Sequence, residues 1–228
     1  MGKGTTWIND YLKLVFQGTA IANIADNAAA SPLTAYYLSL HTSAPGVAGN
    51  QSTNETAYSG YARVAVNRNS GGFTVTGTAV TLAATVSFAA VSSSTDLLQF
   101  WALGTASSGT GKILYTGPIG TNLGVGTAVA GTDTITIPGL TGVSVGNRIA
   151  FRAPLGGTIP TGITADTVYF VKTVSSNDIT ISATSGGATL DITSAGQVLA
   201  YKVTPINLDQ GGISVTPQLN TGTTITEL

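Results

Sequence analysis

Cysteine is absent from this chain, which excludes disulfides, thiolate metal sites and cysteine nucleophiles together. Histidine occurs once, at His41, so no multi-histidine metal site can form. Charge is scarce as well: 8% of the residues are Asp, Glu, Lys or Arg, against roughly 25% in an ordinary soluble domain. With nine basic and ten acidic residues the formal net charge is −1, which supplies no field to gather nucleic acid or an anionic membrane. Aromatic residues make up 7% and are not interleaved with basic ones, so a stacking platform for single strands is not expected either. No apolar run reaches the length that spans a bilayer, and Asn9, Asp10 and Lys13 interrupt any signal-like core near the start. Both point to a soluble product made in the cytoplasm and to no membrane partner.

What is present is small and β-prone: 43% hydrophobic residues, 29 glycines, and many Ser and Thr over 228 positions. So few charges cover a monomer poorly, which predicts that part of the surface lies against other subunits. One helix is expected at the start, with Thr5 or Thr6 as cap, Trp7, Tyr11, Leu14 and Val15 at helical spacing, and Gly18 as the stop. The small-residue stretch "TAIANIADNAAASP" after it reads as an extended arm. From residue 35 the period becomes two. Tyr36, Leu38 and Leu40 share one face and Tyr37, Ser39 and His41 the other, and "LLQFWALG" is apolar enough for burial on both faces. Short strands without intervening helices predict an all-β fold, a jelly-roll-like β-sandwich with a short N-terminal helix.

Residues 124–202 have their own Gly-Pro punctuation and are read as an inserted small β-domain. The flanks 1–123 and 203–228 then form the sandwich together, an arrangement that loop-closure entropy tolerates.

The search for chemistry finds little. A Ser-His arrangement at His41 lacks a G-x-S-x-G strand-turn-helix context, so the ring is expected to bond to backbone in the Thr42–Gly46 turn. "ASSGTGKI" has Ala106 and Ile113 where a phosphate loop needs Gly and Ser or Thr, and a strand follows it, so it reads as a hairpin connection. Asp133, Asp166, Asp178 and Asp191 stand beside turn residues in the insertion, without the close D-x-D-x-D-G run of a calcium loop. Asn50 and Asn54 begin glycosylation sequons in what reads as a polar loop, and "MGKGTT" matches the start of a myristoylation signal by coincidence of composition. No catalytic residue, cofactor site or metal site is assigned.

In "YYLSLHTSAPGVAGNQSTNETAYSGYARVAVNR", Leu38, Leu40, His41 and Thr42 form L-x-L-H-T. Gly49 to Gln51 form G-N-Q, and Asn54, Glu55, Tyr58, Gly60, Tyr61, Ala62, Arg63 and Val64 follow; a second segment runs from Gly109 to Pro118. With these the chain resembles small tailed-phage virion proteins of the capsid decoration (cement) or tail-fibre-like kind. The stretch 125–202 resembles a module that recurs in phage structural proteins. The resemblance implies a non-enzymatic protein on the capsid exterior of the virion. It would bind the major capsid protein and itself, as a homotrimer rather than a dimer, with no cofactor and no nucleic acid. Trp7, Tyr11 and Phe16 would then be interface anchors, with His41 a further intersubunit contact. Two other readings stay open. One is a tail or fibre component whose insertion faces a host glycan or receptor, with Tyr169 and Phe170 as the nearest aromatic platforms. The other is a virion-bound hydrolase using His41 and a nearby serine.

Overall fold

The computed structural model describes residues 5–21, 32–46, 48–154 and 156–226, apart from the side chains of residues 5–7, 224 and 226. The Ala-rich arm and the start of the chain therefore lie outside the described residues. The fold is all-β with one short N-terminal helix, and the chain divides into two compact units, Met1–Gly117 with Ile206–Leu228, and Pro118–Pro205.

In the first unit α1 (Thr5–Gln17) is followed by β1 (Ala35–His41), β2 (Val64–Asn67), β3 (Phe73–Thr76), β4 (Ala79–Leu82), β5 (Val86–Ser87), β6 (Leu97–Leu98), β7 (Phe100–Gly104) and β8 (Ile113–Pro118). A four-stranded sheet has the order β2-β1-β7-β8, with β1 antiparallel to both neighbours and Leu40 opposite Trp101. The unbroken apolar run of β7 is buried along its whole length, as a strand covered on both faces must be. The residues between β7 and β8 join neighbouring strands, closed by Thr105 N–H donating to the Lys112 carbonyl at 3.0 Å. The phosphate-loop look-alike is thus a hairpin.

The helix stops at Gln17 because Gly18 takes a φ of 67°, which an L side chain would resist. Its buried stripe is Ile8, Leu12 and Phe16, four residues apart, whereas Tyr11 is 39% exposed. This corrects the expected interface role of Phe16. Its ring is fully buried, edge-on to Phe73 at 5.1 Å and to Tyr36 at 6.1 Å, and tilted against Tyr115 at 5.5 Å. A large aromatic placed i+4 and i+8 from two aliphatics turns with them onto the strands of its own unit and has no surface left for a neighbour. Polar bonds fix the same docking: the C-terminal carbonyls of Leu14 and Val15 accept from Arg68 Nη2 and Nε, both at 2.5 Å, and Val15 also accepts from the Tyr36 hydroxyl at 2.8 Å. A cation there satisfies carbonyls the helix itself leaves unpaired and complements its dipole.

The second unit holds β9 (Gly120–Val129), β10 (Thr134–Thr136), β11 (Arg148–Arg152), β12 (Val168–Ser175), β13 (Asp178–Ser182) and β14 (Gly196–Val203), closed into a barrel in the order β10-β13-β12-β11-β14-β9 with every pair antiparallel. The alternation of its strands sends Ala128, Ile135, Ile149, Phe151, Tyr169, Val171, Ile179, Ile181, Val198 and Ala200 inward to a filled core. Closure leaves the six strands no free edge, and it is the feature that alternation alone does not specify. Three short strands return the chain to the first unit: β15 (Ile206–Asn207) pairs β6, β16 (Gln218–Leu219) pairs β5, and β17 (Thr224–Thr226) extends β3 and β4.

Replacing Phe16 by Ala should cost about 3–5 kcal/mol of stability, the usual range for a buried phenylalanine. Both tryptophans of the chain, Trp7 and Trp101, belong to the first unit, so denaturant unfolding followed by tryptophan fluorescence reads that cost directly.

Candidate functional site

The motif residues converge on the C-terminal end of β1. There the segment 50–56 folds back beside the strand: Thr42 N–H donates to the Asn54 carbonyl and Thr56 N–H to the Leu40 carbonyl, both at 3.0 Å, with an antiparallel β-bridge between His41 and Glu55. Asn54 makes this possible with a φ of 56°, the left-handed region that asparagine tolerates, and its side-chain amide donates to the Ala44 carbonyl at 2.8 Å. The fold-back is why alternation ends along β1: Ser39 and His41, on the face that should meet water, are 0% exposed.

His41 is consequently held on both sides. Its Nδ1 lies 2.9 Å from the Thr53 carbonyl and its Nε2 2.9 Å from Ser39 Oγ. A carbonyl can only accept, so Nδ1 carries the proton and Nε2 accepts from the Ser39 hydroxyl. Burial pushes the imidazole below its ordinary pKa, against smaller upward pulls from the Thr53 carbonyl and the Glu55 carboxylate. The Ser-His pair has the spacing of a nucleophile and its base, but both side chains are enclosed, so no substrate reaches the hydroxyl. The expected backbone bond is made to Thr53 rather than within the Thr42–Gly46 turn. An intersubunit contact at His41 is corrected by the same burial.

Beside it lies a charge pair that the sequence reading did not single out. Arg63 is 8% exposed and forms a bidentate pair with Glu55, Nε to Oε1 and Nη2 to Oε2 at 2.7 Å each. The remaining guanidinium donors reach the Ala106 carbonyl at 3.0 Å, the Gly109 carbonyl at 2.7 Å and Ser52 Oγ at 3.3 Å. Tyr61 donates its hydroxyl to Glu55 Oε1 at 2.9 Å and accepts from Leu40 N–H at 3.0 Å, while burial pushes its phenol far above the ordinary value. The bonds with Glu55 raise the pKa of Arg63 in turn. Gln51 completes the network, fully buried, donating to the Tyr37 carbonyl at 3.1 Å and accepting from Ala106 N–H at 3.0 Å. A Cβ on Gly104 or Gly111 would stand 2.1 or 2.2 Å from the Gln51 side chain, so those positions must be glycine for the amide to enter. The signal available in the sequence was an Arg and a Glu eight positions apart in a chain otherwise poor in charge.

The other expected residues are dispersed. Trp7's side chain lies outside the described residues, and Tyr11 is partly exposed on the helix. Tyr169 is 4% exposed, its ring within the barrel core and its hydroxyl accepting from Thr164 N–H at 2.8 Å, so it presents no face to a sugar. An inward position in a closed barrel leaves that ring no route to solvent. Phe170 is half-buried with the Arg148 guanidinium 5.3 Å from its ring centroid. The aspartates serve separate turns and pairs: Asp133 accepts from Ile192 N–H at 2.8 Å, Asp178 from Thr136 Oγ1 at 2.6 Å, and Asp166 pairs with Arg152 at 2.5 Å. Among the described residues no three His, Cys, Asp or Glu side chains gather as a metal site.

Two outcomes follow for this cluster. Arg63→Ala leaves the half-buried Glu55 carboxylate without its cation and two backbone carbonyls without their donor, and should cost about 1–3 kcal/mol, measured by denaturant unfolding of the first unit. Because the folded pKa of His41 lies below the unfolded value of about 6.5, the unfolded chain binds the proton more readily, and stability falls as pH drops from there toward the folded pKa. Melting temperatures recorded from about pH 7 downward should show that slope in the native chain and a smaller one in His41→Gln.

A scan of family models finds one that spans residues 5–141, from α1 through the buried network and both strands of the β7–β8 hairpin to just past β10. No curated protein and no solved structure matches the chain. The matched stretch is more than half of the 228 residues and contains every member of the Gln51–Glu55–Arg63 network, and on that basis the chain belongs to the family described as Podophage GP4 fiber I protein gp80.

Proposed function

We propose that this phage structural protein is a component of a virion fibre and acts through association, as a rigid folded body, without turning over a substrate. The observation that carries the reading is the family match, whose description names a fibre. It favours the fibre over capsid decoration. The geometry agrees in kind. The motif residues are spent on holding loops 50–56, 61–63 and 105–111 together, and the one Ser-His pair is enclosed. Self-association, as a trimer before a dimer, belongs to the same proposal, because 8% charged residues leave surface that neighbours are needed to cover.

Immunogold labelling of purified virions with an antibody to this chain tests it. Gold on fibres is the expected result. Gold over the head shell, with the chain co-purifying with the major capsid protein, would overturn the fibre assignment in favour of decoration.

A further inference from the structure

An open cleft of about 730 Å³ lies in the first unit, between the loop that carries Glu55 and Tyr58, the loop 92–96 and the loop 208–212. That volume falls within the range of about 300–1,000 Å³ typical of small-ligand sites. Its chemistry is uneven. Four consecutive hydroxyl-bearing residues, Ser92, Ser93, Ser94 and Thr95, line one wall and Gln210 lines another; the Ser94 hydroxyl also accepts from Asp96 N–H at 3.2 Å and the Gln210 amide donates to the Asn207 carbonyl at 3.3 Å. Each of these groups both donates and accepts, which matches a ligand dense in hydroxyls. The floor is firm: Tyr58 is buried and its hydroxyl donates to the Ala89 carbonyl at 2.9 Å, and Leu208 is 1% exposed.

The charge of the lining narrows the ligand further. Three of the chain's ten acidic residues, Glu55, Asp96 and Asp209, meet this cleft, and among the described residues no lysine or arginine lines it. Glu55 is neutralised by Arg63. Asp96 accepts the Thr56 hydroxyl on Oδ2, and Asp209 is exposed. Two carboxylates are therefore left uncompensated at the opening, which repels an anionic ligand and favours a cationic one. A lysine-rich peptide would use the carboxylates but meet the hydroxyls and the amide only with the one donor and one acceptor of each backbone unit; a polyol bearing amines offers several hydroxyls per ring beside its cation.

We propose that this cleft binds an oligosaccharide that carries free amino groups and no acidic group, with Asp209 and Asp96 taking the amines and the 92–95 hydroxyls and Gln210 taking the sugar hydroxyls. That such a saccharide sits on a host envelope rests on the fibre reading; the selectivity of the cleft rests on its own lining.

The test is calorimetric titration of the full chain with four probes at about pH 6, where sugar amines are protonated: glucosamine oligomers, N-acetylglucosamine oligomers, oligogalacturonate and oligolysine. Glucosamine oligomers should bind at least about tenfold tighter than their N-acetylated counterparts, about tenfold being expected for each charge-assisted contact, and oligogalacturonate should not bind. Asp209→Asn, an isosteric change at an exposed position, should weaken glucosamine-oligomer binding several-fold and leave the melting temperature unchanged. No binding of glucosamine oligomers, equal binding of oligogalacturonate, tighter binding of oligolysine than of glucosamine oligomers, or an Asp209→Asn variant with unaltered affinity would each overturn the proposal. Immunogold position is independent of these titrations, so this inference and the fibre assignment fail separately.

Discussion

The structure of the first unit depends on one ion pair, Glu55 with the buried Arg63. Taking a guanidinium and a carboxylate out of water costs several kcal/mol for each ion, and mutual attraction offsets that only when the remaining donors and lone pairs are met. Here they are met by the chain itself. All three guanidinium nitrogens find acceptors, and those acceptors lie on the loop that carries Glu55 and on one separate loop, 105–111. The pair therefore sets where residues 50–56 and 105–111 must lie, and those positions in turn enclose Ser39, His41 and Gln51. Once this geometry is in place, no buried side-chain nitrogen or oxygen among the described residues lacks a partner.

Such a network has a functional meaning for a structural protein of a phage. Loops held by charge-assisted and backbone bonds in a low-dielectric interior exchange conformations at high cost, so the surfaces they present stay fixed. The reactive potential of the Ser-His pair is used up in the same way. Its hydroxyl and imidazole are committed to each other and to Thr53, and the residue types of an acyl-transfer site become a fastening. The polar groups that do face solvent are elsewhere, on the hydroxyl-rich loop 92–96 and its neighbours.

Much of the architecture was legible in the order of residues. Alternation in β1, the apolar run of β7 and the Gly18 stop each report a local physical constraint, and the structure obeys them. The failures share one cause, which is burial by parts of the chain distant in sequence. Phe16 reads as an exposed anchor until Phe73 and Tyr115, far along the chain, are seen to surround it. His41 reads as a turn residue because nothing in the local pattern says that Asn50 to Thr56 will lie across it. Tyr169 reads as a sugar platform because alternation gives two faces without saying which one a closed barrel turns inward. Gln51 stands within the G-N-Q motif, but its role depends on two distant glycines, Gly104 and Gly111, that make room for it.

The barrel of the second unit carries a consequence for life in a crowded particle. Open sheets expose a line of unpaired amides that can recruit a strand from an adjacent molecule, and packing many copies side by side multiplies that hazard. A cylinder whose last strand bonds to its first offers no such template. A neighbouring molecule that meets this unit can therefore touch its side chains while the barrel keeps its own hydrogen bonds, and contact there stops short of fusion into a shared sheet.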